Sequence, residues 1–178
     1  MKKLLLIYGH GAPESSVFNQ ALIEEAKKQD WITIHEIHHL NLDDPAIITQ
    51  EQTRLTEYKK IVFQFPLWWY SLPGHFKSWV DQVLTPGFAY DEHGDKLKDR
   101  EFMLNISVGS PKTLYAQNTI HNMQETEFVH PIAQIFIYCQ MKFYSPLVWY
   151  DVSAVTPDML FEIQTKYIRS LEGFVNSK

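Results

Sequence analysis

Three short segments of this sequence could bind a phosphate, hold a flat aromatic ligand and move a proton. The first segment contains His10, Ser16, Val17, Phe18 and Asn19. It lies between a short apolar run and a helical pattern, so free backbone N–H groups and a helix dipole lie beside hydroxyl and amide side chains. This arrangement predicts a phosphate site that needs no lysine. An ordinary helix cap is the alternative interpretation of the same residues.

The second segment has three consecutive aromatic residues, and it comprises Pro66, Leu67, Trp68, Trp69 and Tyr70. Three neighbouring side chains must face different directions, so at least one of them should line the surface or a pocket. Aromatic walls and the backbone groups of a loop suit a flat aromatic ligand. A subunit interface or the packing of the loop itself is the alternative.

The third segment is the end of a predicted strand, and it comprises Ser107, Val108, Gly109 and Ser110. Gly109 lets the backbone approach a ligand closely. Tyr115 and His121 follow, and these two residue types can donate hydrogen bonds and transfer a proton. A turn followed by two surface residues is the alternative.

A fourth pattern matches a metal motif but is not expected to bind metal. The run from His35 to His39 reads His-Glu-x-x-His, which binds zinc when it lies on a helix. The preceding β-branched residues predict a strand here. In a strand the two histidines would lie about 13 Å apart and could not share one ion. We therefore expect no metal site.

Strands and helices that alternate along the chain must position these segments. Apolar and β-branched runs predict strands at residues 4–8, 31–37, 61–65, 102–108 and 143–152. Caps and helical spacing predict helices at residues 16–29, 49–58, 73–84 and 117–141, and a last helix from Pro157 onward. The helix at 117–141 is expected to break near Pro131, and loops are expected at 41–45 and 85–100. The alternation predicts one α/β domain, residues 1–178, with a five-stranded parallel sheet and helices on both faces. Ligands of such sheets bind at the carboxyl ends of the strands, where the three segments lie.

Composition and charge exclude several classes of protein. Of the 178 residues, 45% are apolar and 21% are charged, which predicts a packed core and not a disordered chain. The net charge of -5 argues against a nucleic-acid partner. The N-terminal apolar run is too short for a signal peptide, and no run approaches the roughly 18 residues of a membrane span, so we expect a cytoplasmic protein without membrane insertion. The single cysteine, Cys139, excludes a disulfide framework and is predicted to pack in the core.

The order of these motifs resembles the flavodoxin-like NAD(P)H:quinone oxidoreductase family. The resemblance extends to about residue 150, and its most specific parts are Phe-Pro-Leu-x-Trp at residues 65–69 and Gly-Phe-Ala-Tyr at residues 87–90. The length is similar to that of the short bacterial members, which include a potassium-efflux ancillary subunit and general stress oxidoreductases. The longer FAD-binding members have a C-terminal extension that this sequence lacks.

The resemblance implies a flavodoxin-like three-layer sandwich, a homodimer and two-electron reduction of quinones or similar small aromatic acceptors. It implies FMN as the bound cofactor, with FAD as the alternative, and NAD(P)H as the electron donor. The first segment matches the flavin phosphate loop, the second lies along the isoalloxazine ring, and the third lies beside that ring. Tyr115 and His121 match the pair that assists charge relay in the family.

The sequence departs from the family pattern at two places. Residues 107–110 read Ser-Val-Gly-Ser where the family often has Thr-Thr-Gly-Gly. Ser110 therefore stands in place of the second glycine. Asp99 and Arg100 stand where the family usually has Gly-Lys. Asp tolerates the left-handed conformation better than most residues, so we expect the turn at Asp99 to persist.

Two other functions remain open at the level of sequence. The same fold could serve as a flavin-binding regulatory subunit that associates peripherally with a glutathione-gated potassium efflux transporter. It could also be a one-electron carrier of the flavodoxin type. The mild net charge and the bulky aromatic segment favour a substrate pocket over the acidic partner-binding face of a carrier.

Overall fold

The computed structural model describes residues 3–177, in which strands and helices alternate. The strands are β1 (Leu4–Tyr8), β2 (Ile32–Glu36), β3 (Lys60–Pro66), β4 (Glu101–Ser107), β5 (Lys142–Phe143) and β6 (Leu147–Trp149). The helices are α1 (Val17–Lys27), α2 (Pro45–Glu57), α3 (Gly74–Val83), α4 (Glu125–Tyr138) and α5 (Pro157–Asn176). Single 3₁₀ turns lie at Pro13–Ser15, Lys112–Leu114 and Val152–Ala154.

All strand pairs named in the sheet are parallel, and the order is β2-β1-β3-β4-β5, with β6 also paired to β4. This is the doubly wound order of flavodoxin-like folds, so the predicted fold class is confirmed. β1 and β3 are buried along their whole length, which explains their continuous apolar character.

The sheet separates two apolar cores because successive side chains of a strand face opposite ways. Leu5 and Ile7 pack with residues of α2, α3 and α4 on one face. Leu4 and Leu6 pack with residues of α1 and α5 on the other. The result is the predicted three-layer arrangement, with helices on both faces of the sheet.

The fifth predicted strand, residues 143–152, is in fact two short strands. β5 pairs with the start of β4, and β6 pairs with its end. Pro146 lies between them and has no N–H to donate to a ladder, which is the physical reason for the interruption.

Two helix boundaries also differ from the prediction. α2 begins at Pro45, within the predicted loop, because the Asp44 carboxylate accepts a hydrogen bond from the N–H of Ala46 at 2.9 Å. Residues 117–124 are not helical, and α4 starts only at Glu125, where a capping box joins Gln124 and Glu127. Pro131 lies inside α4 without ending it, since the apolar face of the helix is buried against the sheet.

Other local predictions are confirmed. Thr156 caps α5 by accepting from the N–H of Met159, and Pro157 is the first helical residue. Asp99 has a φ of 61°, the left-handed conformation predicted for this turn from the sequence. Within residues 3–177, no helix combines the length and the apolar character needed to cross a membrane.

Candidate functional site

The parallel register brings the three candidate segments to one edge of the sheet. Leu67 N–H donates to the carbonyl oxygen of Ser107 at 2.8 Å, which joins the second segment to the third. Asn19 Nδ2 donates to Ser107 Oγ at 2.8 Å, which joins the first to the third across 88 positions of sequence. The rings of His10 and Trp68 lie 5.8 Å apart, edge to face. The three segments therefore lie together at one edge of the sheet, as the positions of the strand ends predicted.

A cleft of about 540 Å³ opens at this edge. Its lining residues are His10, Ser15, Ser16, Val17, Phe18, Trp68, Val152, Ser153, Val155 and Leu160. The volume lies in the usual range of small-molecule sites, about 300–1,000 Å³. The predicted site residues did not include Ser15 or the last four residues, which come from the 3₁₀ turn after β6, the link that follows it and the start of α5. They carry no local signal, because only the fold brings them beside the first segment.

His10 is held in one tautomer by the backbone. Its Nδ1 accepts the N–H of Ala12 at 2.9 Å, so the ring proton of the neutral form lies on Nε2. Burial, and then the nearby charge of His38, lowers the pKa of His10 below its ordinary value. His10 is therefore a neutral hydrogen-bond donor at the edge of the cleft.

Ser16 caps α1 and borders the cleft. Its hydroxyl oxygen accepts from the N–H of Asn19 at 3.3 Å and from Asn19 Nδ2 at 3.1 Å. The helix-cap interpretation is therefore correct, and it coexists with the cleft. Asn19 is buried behind Ser16 and positions the loop without lining the cleft.

A buried polar network behind the first segment was missed by sequence reasoning. Gln64 Oε1 accepts from Asn105 Nδ2 at 2.8 Å and from the Tyr167 hydroxyl at 2.7 Å. Trp149 Nε1 donates to Asn105 Oδ1 at 2.6 Å, and Gln64 Nε2 lies 3.5 Å from Asn19 Oδ1. The only signal in the sequence is a lone amide residue inside each of two apolar strands. The network ties the α1 cap to β6 and α5.

The second segment turns in a two-residue hairpin with unusual backbone conformations. Trp68 and Ser71 exchange backbone hydrogen bonds of 3.1 and 3.0 Å, and Trp69 and Tyr70 between them have φ values of 50° and 61°. Such turns strongly prefer Asn-Gly, so large aromatic residues here store backbone strain. The surroundings hold them in place, and strained residues of this kind cluster at binding sites.

The three aromatic side chains face different directions, as predicted. Trp68 contacts the first segment, and Trp69 is 92% exposed. Tyr70 turns towards His121. The segment starts from Pro66, the buried last residue of β3, and Leu67 is half-buried.

The third segment contacts the first two segments, but none of its four residues lines the cleft. Ser107 and Val108 are buried, and the N–H of Val108 donates to the carbonyl oxygen of Trp149 at 2.7 Å. A Cβ atom at Gly109 would lie 3.6 Å from Ser153 Oγ, an ordinary contact distance. Gly109 therefore keeps the loop surface low and is not required by a special backbone conformation. The carbonyl oxygen of Ser110 accepts the N–H of Asp151 at 3.1 Å.

Tyr115 and His121 come together as a stacked pair, with ring centroids 4.2 Å apart and planes 14° apart. The Tyr70 hydroxyl lies 3.1 Å from His121 Nδ1. His121 Nε2 is buried and has no hydrogen-bond partner among residues 3–177. Burial, and then the nearby Tyr70, raises the pKa of Tyr115, so this phenol is a donor at neutral pH. The two residues are thus part of an organised cluster and not isolated surface groups.

The donors around the cleft fit the phosphate of a flavin mononucleotide. The first N–H groups of α1 have no intrahelical acceptor and point out of the helix N-terminus, and His10 adds a neutral N–H. The Tyr8 hydroxyl is buried behind this loop without a partner in the described residues. Trp68 supplies an aromatic wall beside these donors. The residues that could hold the phosphate are therefore His10, Ser15, Ser16, Val17 and Phe18.

His35 and Cys139, for which the sequence predicts no metal or catalytic role, have structural roles. His35 lies in β2, the predicted strand, and its Nε2 lies 2.7 Å from Glu51 Oε2. Glu51 is buried and also accepts from Trp79 Nε1 at 2.9 Å. Cys139 is buried, as predicted, and desolvation by burial raises the pKa of its thiol to about 11.

The sequence matches the family described as having a flavodoxin-like fold over residues 2–171. General stress protein 14 of Bacillus subtilis is 36% identical over 151 residues, 85% of this chain and 86% of that protein. The protein of B. subtilis named uncharacterized NAD(P)H oxidoreductase YdeQ is 30% identical over 96% of this chain and 86% of that protein. The potassium-efflux ancillary protein KefG of Erwinia tasmaniensis is 31% identical over 83% of this chain and 80% of that protein.

A solved structure has nearly the same fold. The structure of general stress protein 14 from Treponema denticola, in complex with FMN, superposes with a TM-score of 0.88. Its identity is 24%, and the alignment covers 97% of this chain and 99% of that chain. The relatives named above align over most of both chains. Together with the match of the family over residues 2–171, they show that this protein belongs to the family with a flavodoxin-like fold.

Proposed function

We propose that this protein is an NAD(P)H-dependent oxidoreductase that binds FMN and reduces quinones or similar small aromatic acceptors by two electrons. The observation that carries the proposal is that a helix N-terminus and Trp68 border one cleft, while the stacked Tyr115–His121 pair lies against Tyr70 of the same aromatic segment. Relatives of 30% and 35% identity bear the name NAD(P)H oxidoreductase, which supports the same activity.

The first segment would bind the phosphate of FMN. The N-terminus of α1 offers N–H groups and a positive dipole end, and His10 donates from Nε2. No lysine or arginine lines the cleft among the described residues. Binding therefore depends on oriented dipoles, so we expect a His10→Ala variant to retain its fold and to bind FMN about tenfold more weakly.

The second and third segments would hold the flavin ring. Bound FMN supplies the redox chemistry, because a flavin accepts a hydride from NAD(P)H and passes it to an acceptor. Trp68 and Trp69 would wall the ring, and backbone N–H groups near Gly109 would stabilise the negative charge of the reduced cofactor. Reduction of a quinone also consumes a proton, for which Tyr115 and His121 are the proposed donors.

A second copy of the chain would complete the site. Three apolar side chains around it are largely exposed, with exposed fractions of 77% for Val17, 92% for Trp69 and 80% for Ile120. Isolated exposed apolar residues are common, but a group beside a cleft is typical of an interface. We propose a homodimer whose partner covers this face, and sedimentation equilibrium tests it directly.

The absorption spectrum of the purified protein tests the proposed function. The protein is incubated with FMN, desalted, and recorded before and after anaerobic addition of NADPH or NADH. We expect retained yellow colour that either donor bleaches, followed by recovery of the colour when a quinone is added. Loss of all flavin on desalting, even from a large excess of FMN or FAD, would refute the cofactor assignment.

A regulatory subunit of a potassium efflux system is the second candidate. It is favoured by the KefG relatives, which are about 31% identical over four fifths of their length. Flavin that is retained but reduced by neither nucleotide would support this candidate over the enzyme. Co-purification with an efflux transporter would support the peripheral association that it requires.

A further inference from the structure

The hydroxyl of Tyr70 contacts the one nitrogen of His121 that faces the second segment. Tyr70 Oη and His121 Nδ1 are 3.1 Å apart, and the two rings meet edge to face with centroids 5.8 Å apart. The residues are separated by 51 positions, so only the tertiary fold creates the contact. Tyr115 stacks on the His121 ring and leaves it free to bond only at its edge.

The backbone on both sides is held so that this contact persists. Tyr70 has a φ of 61° in a closed two-residue turn, which fixes the backbone from which its side chain extends. On the other side, the Thr119 hydroxyl bonds to the backbone of Leu114 and Ala116, and the N–H of Asn118 donates to Asn122 Oδ1 at 3.0 Å. A strained turn therefore faces a loop that is ordered by its own side chains.

The direction of this hydrogen bond is linked to the tautomer of His121. The Tyr70 hydroxyl has a single proton, and His121 Nδ1 is its one acceptor among the described residues. If the hydroxyl donates to Nδ1, the proton of the neutral imidazole lies on Nε2. Nε2 is buried and has no partner within residues 3–177, so its N–H would stay unsatisfied until a ligand displaced the groups that cover it.

We propose that Tyr70 is a positioning residue that holds His121 in the tautomer with its proton on Nε2. The Nε2–H then donates a hydrogen bond to the oxygen on which negative charge develops during reduction of the acceptor. This last step rests on the proposed function, whereas the tautomer of His121 does not. No atom is transferred to or from Tyr70.

Nitrogen-15 NMR of the histidine side chains tests the tautomer directly. The full-length chain, with and without added FMN, is labelled on histidine and recorded at about pH 8.5, roughly two units above the ordinary histidine pKa of about 6.5. A His121→Gln variant assigns the signals of His121 among the 8 histidines. In the unsubstituted protein we expect His121 to carry its proton on Nε2.

A Tyr70→Phe variant keeps the ring and removes only the hydroxyl. We expect it to lower the Nε2–H to Nδ1–H ratio of His121 about fivefold, which corresponds to about 1 kcal/mol for one hydrogen bond. Tyr138→Phe is the matched control, because Tyr138 is 62% exposed, and it should leave the ratio unchanged. If Tyr70→Phe is unstable, Tyr70→Asn tolerates the left-handed turn and should give the same change. An unchanged ratio in the folded Tyr70 variants would overturn the proposal.

Kinetics separate the positioning role from the proposed function. We expect Tyr70→Phe to lower kcat with a quinone in proportion to the fraction of His121 with its proton on Nε2, by at most about fivefold, and to leave the KM for the nucleotide unchanged. A shifted tautomer with unchanged kcat would overturn the catalytic use of the bond. A protein that oxidises neither NADH nor NADPH would refute the proposed function, while the NMR result would still decide the role of Tyr70.

Discussion

Replacement of Gln64 by leucine should destabilise the protein through two orphaned donors. Gln64 Oε1 accepts from Asn105 Nδ2 and from the Tyr167 hydroxyl, and all three residues are almost fully buried. Leucine fills a similar volume but accepts nothing. Each buried donor left without a partner costs about 1–3 kcal/mol, so we expect Gln64→Leu to lower the free energy of unfolding by about 2–6 kcal/mol.

A double-mutant cycle isolates the part of this cost that the hydroxyl causes. Tyr167→Phe alone removes one hydrogen bond, but Gln64 Oε1 keeps its bond from Asn105, so we expect a loss of about 1 kcal/mol. In the Gln64→Leu background the same change removes an orphaned hydroxyl and should restore about 1 kcal/mol. The two substitutions therefore should be non-additive by about 2 kcal/mol.

Urea unfolding of the flavin-free protein is the appropriate assay, because a bound ligand would add its own stabilisation. Gln50→Leu is the control, since Gln50 is exposed on α2 and should change the free energy of unfolding by less than about 0.5 kcal/mol. Additive costs in the cycle would refute the reasoning, since they would mean that the Tyr167 hydroxyl finds another partner. If Gln64→Leu lowers the free energy of unfolding by less than about 1 kcal/mol, the two donors would not be left without acceptors in the variant.

Three further results are expected. Burial opposes ionisation of Glu51, but the hydrogen bonds from His35 and Trp79 outweigh it and lower the pKa of Glu51. The Glu51 carboxylate therefore stabilises the fold above its unfolded pKa of about 4.3, and this stabilisation is lost as the pH falls through its folded pKa. A Glu51→Gln variant should therefore lose less stability than the unsubstituted protein between about pH 5 and pH 3, measured by urea unfolding. Cys139, whose thiol pKa is raised to about 11, should react with a disulfide reagent at pH 8 only after unfolding, and fast reaction of the native protein would contradict its burial. Gly94→Ala should lower the thermal midpoint by several degrees, because its Cβ would overlap the backbone of Tyr90, and an unchanged midpoint would show that this turn can move.

Strands and loops contribute differently to the candidate site. The strands end at fixed positions, which sets where the loops start. The loops then accept unfavourable conformations, such as the φ of 50° at Trp69, that the rigid sheet can hold. The chemistry thus depends on loops whose geometry the strands impose.

Much of the fold follows from the local sequence. The apolar runs of β1 and β3 are buried on both faces, and this pattern alone predicts central parallel strands. Thr156 followed by Pro157 predicts the start of α5, because a cap and a proline act within one turn of helix. The left-handed turn at Asp99 was likewise predictable from its residue type and position.

Some boundaries were not predictable because weak local signals compete. The sequence predicts a helix from residue 117, yet residues 117–124 include weak helix formers and the capping box at Gln124 sets the start of α4. In the fifth strand, β-branched and aromatic residues favour one long strand, whereas Pro146 divides it. In both cases a few local hydrogen bonds, formed at Gln124 and absent at Pro146, outweigh the average secondary-structure propensity of the segment.

The sequence by itself determined which residue types lie at the strand ends, because burial and alternation are read directly from apolar spacing. The contacts among those residues required the tertiary structure. The bond from Tyr70 to His121 spans 51 positions, and that from Tyr167 to Gln64 spans 103. Val152 and Leu160 line the cleft beside Ser16, which no local pattern indicates. Only the crossovers between parallel strands bring such distant residues within hydrogen-bonding range, and a one-dimensional pattern does not contain that distance.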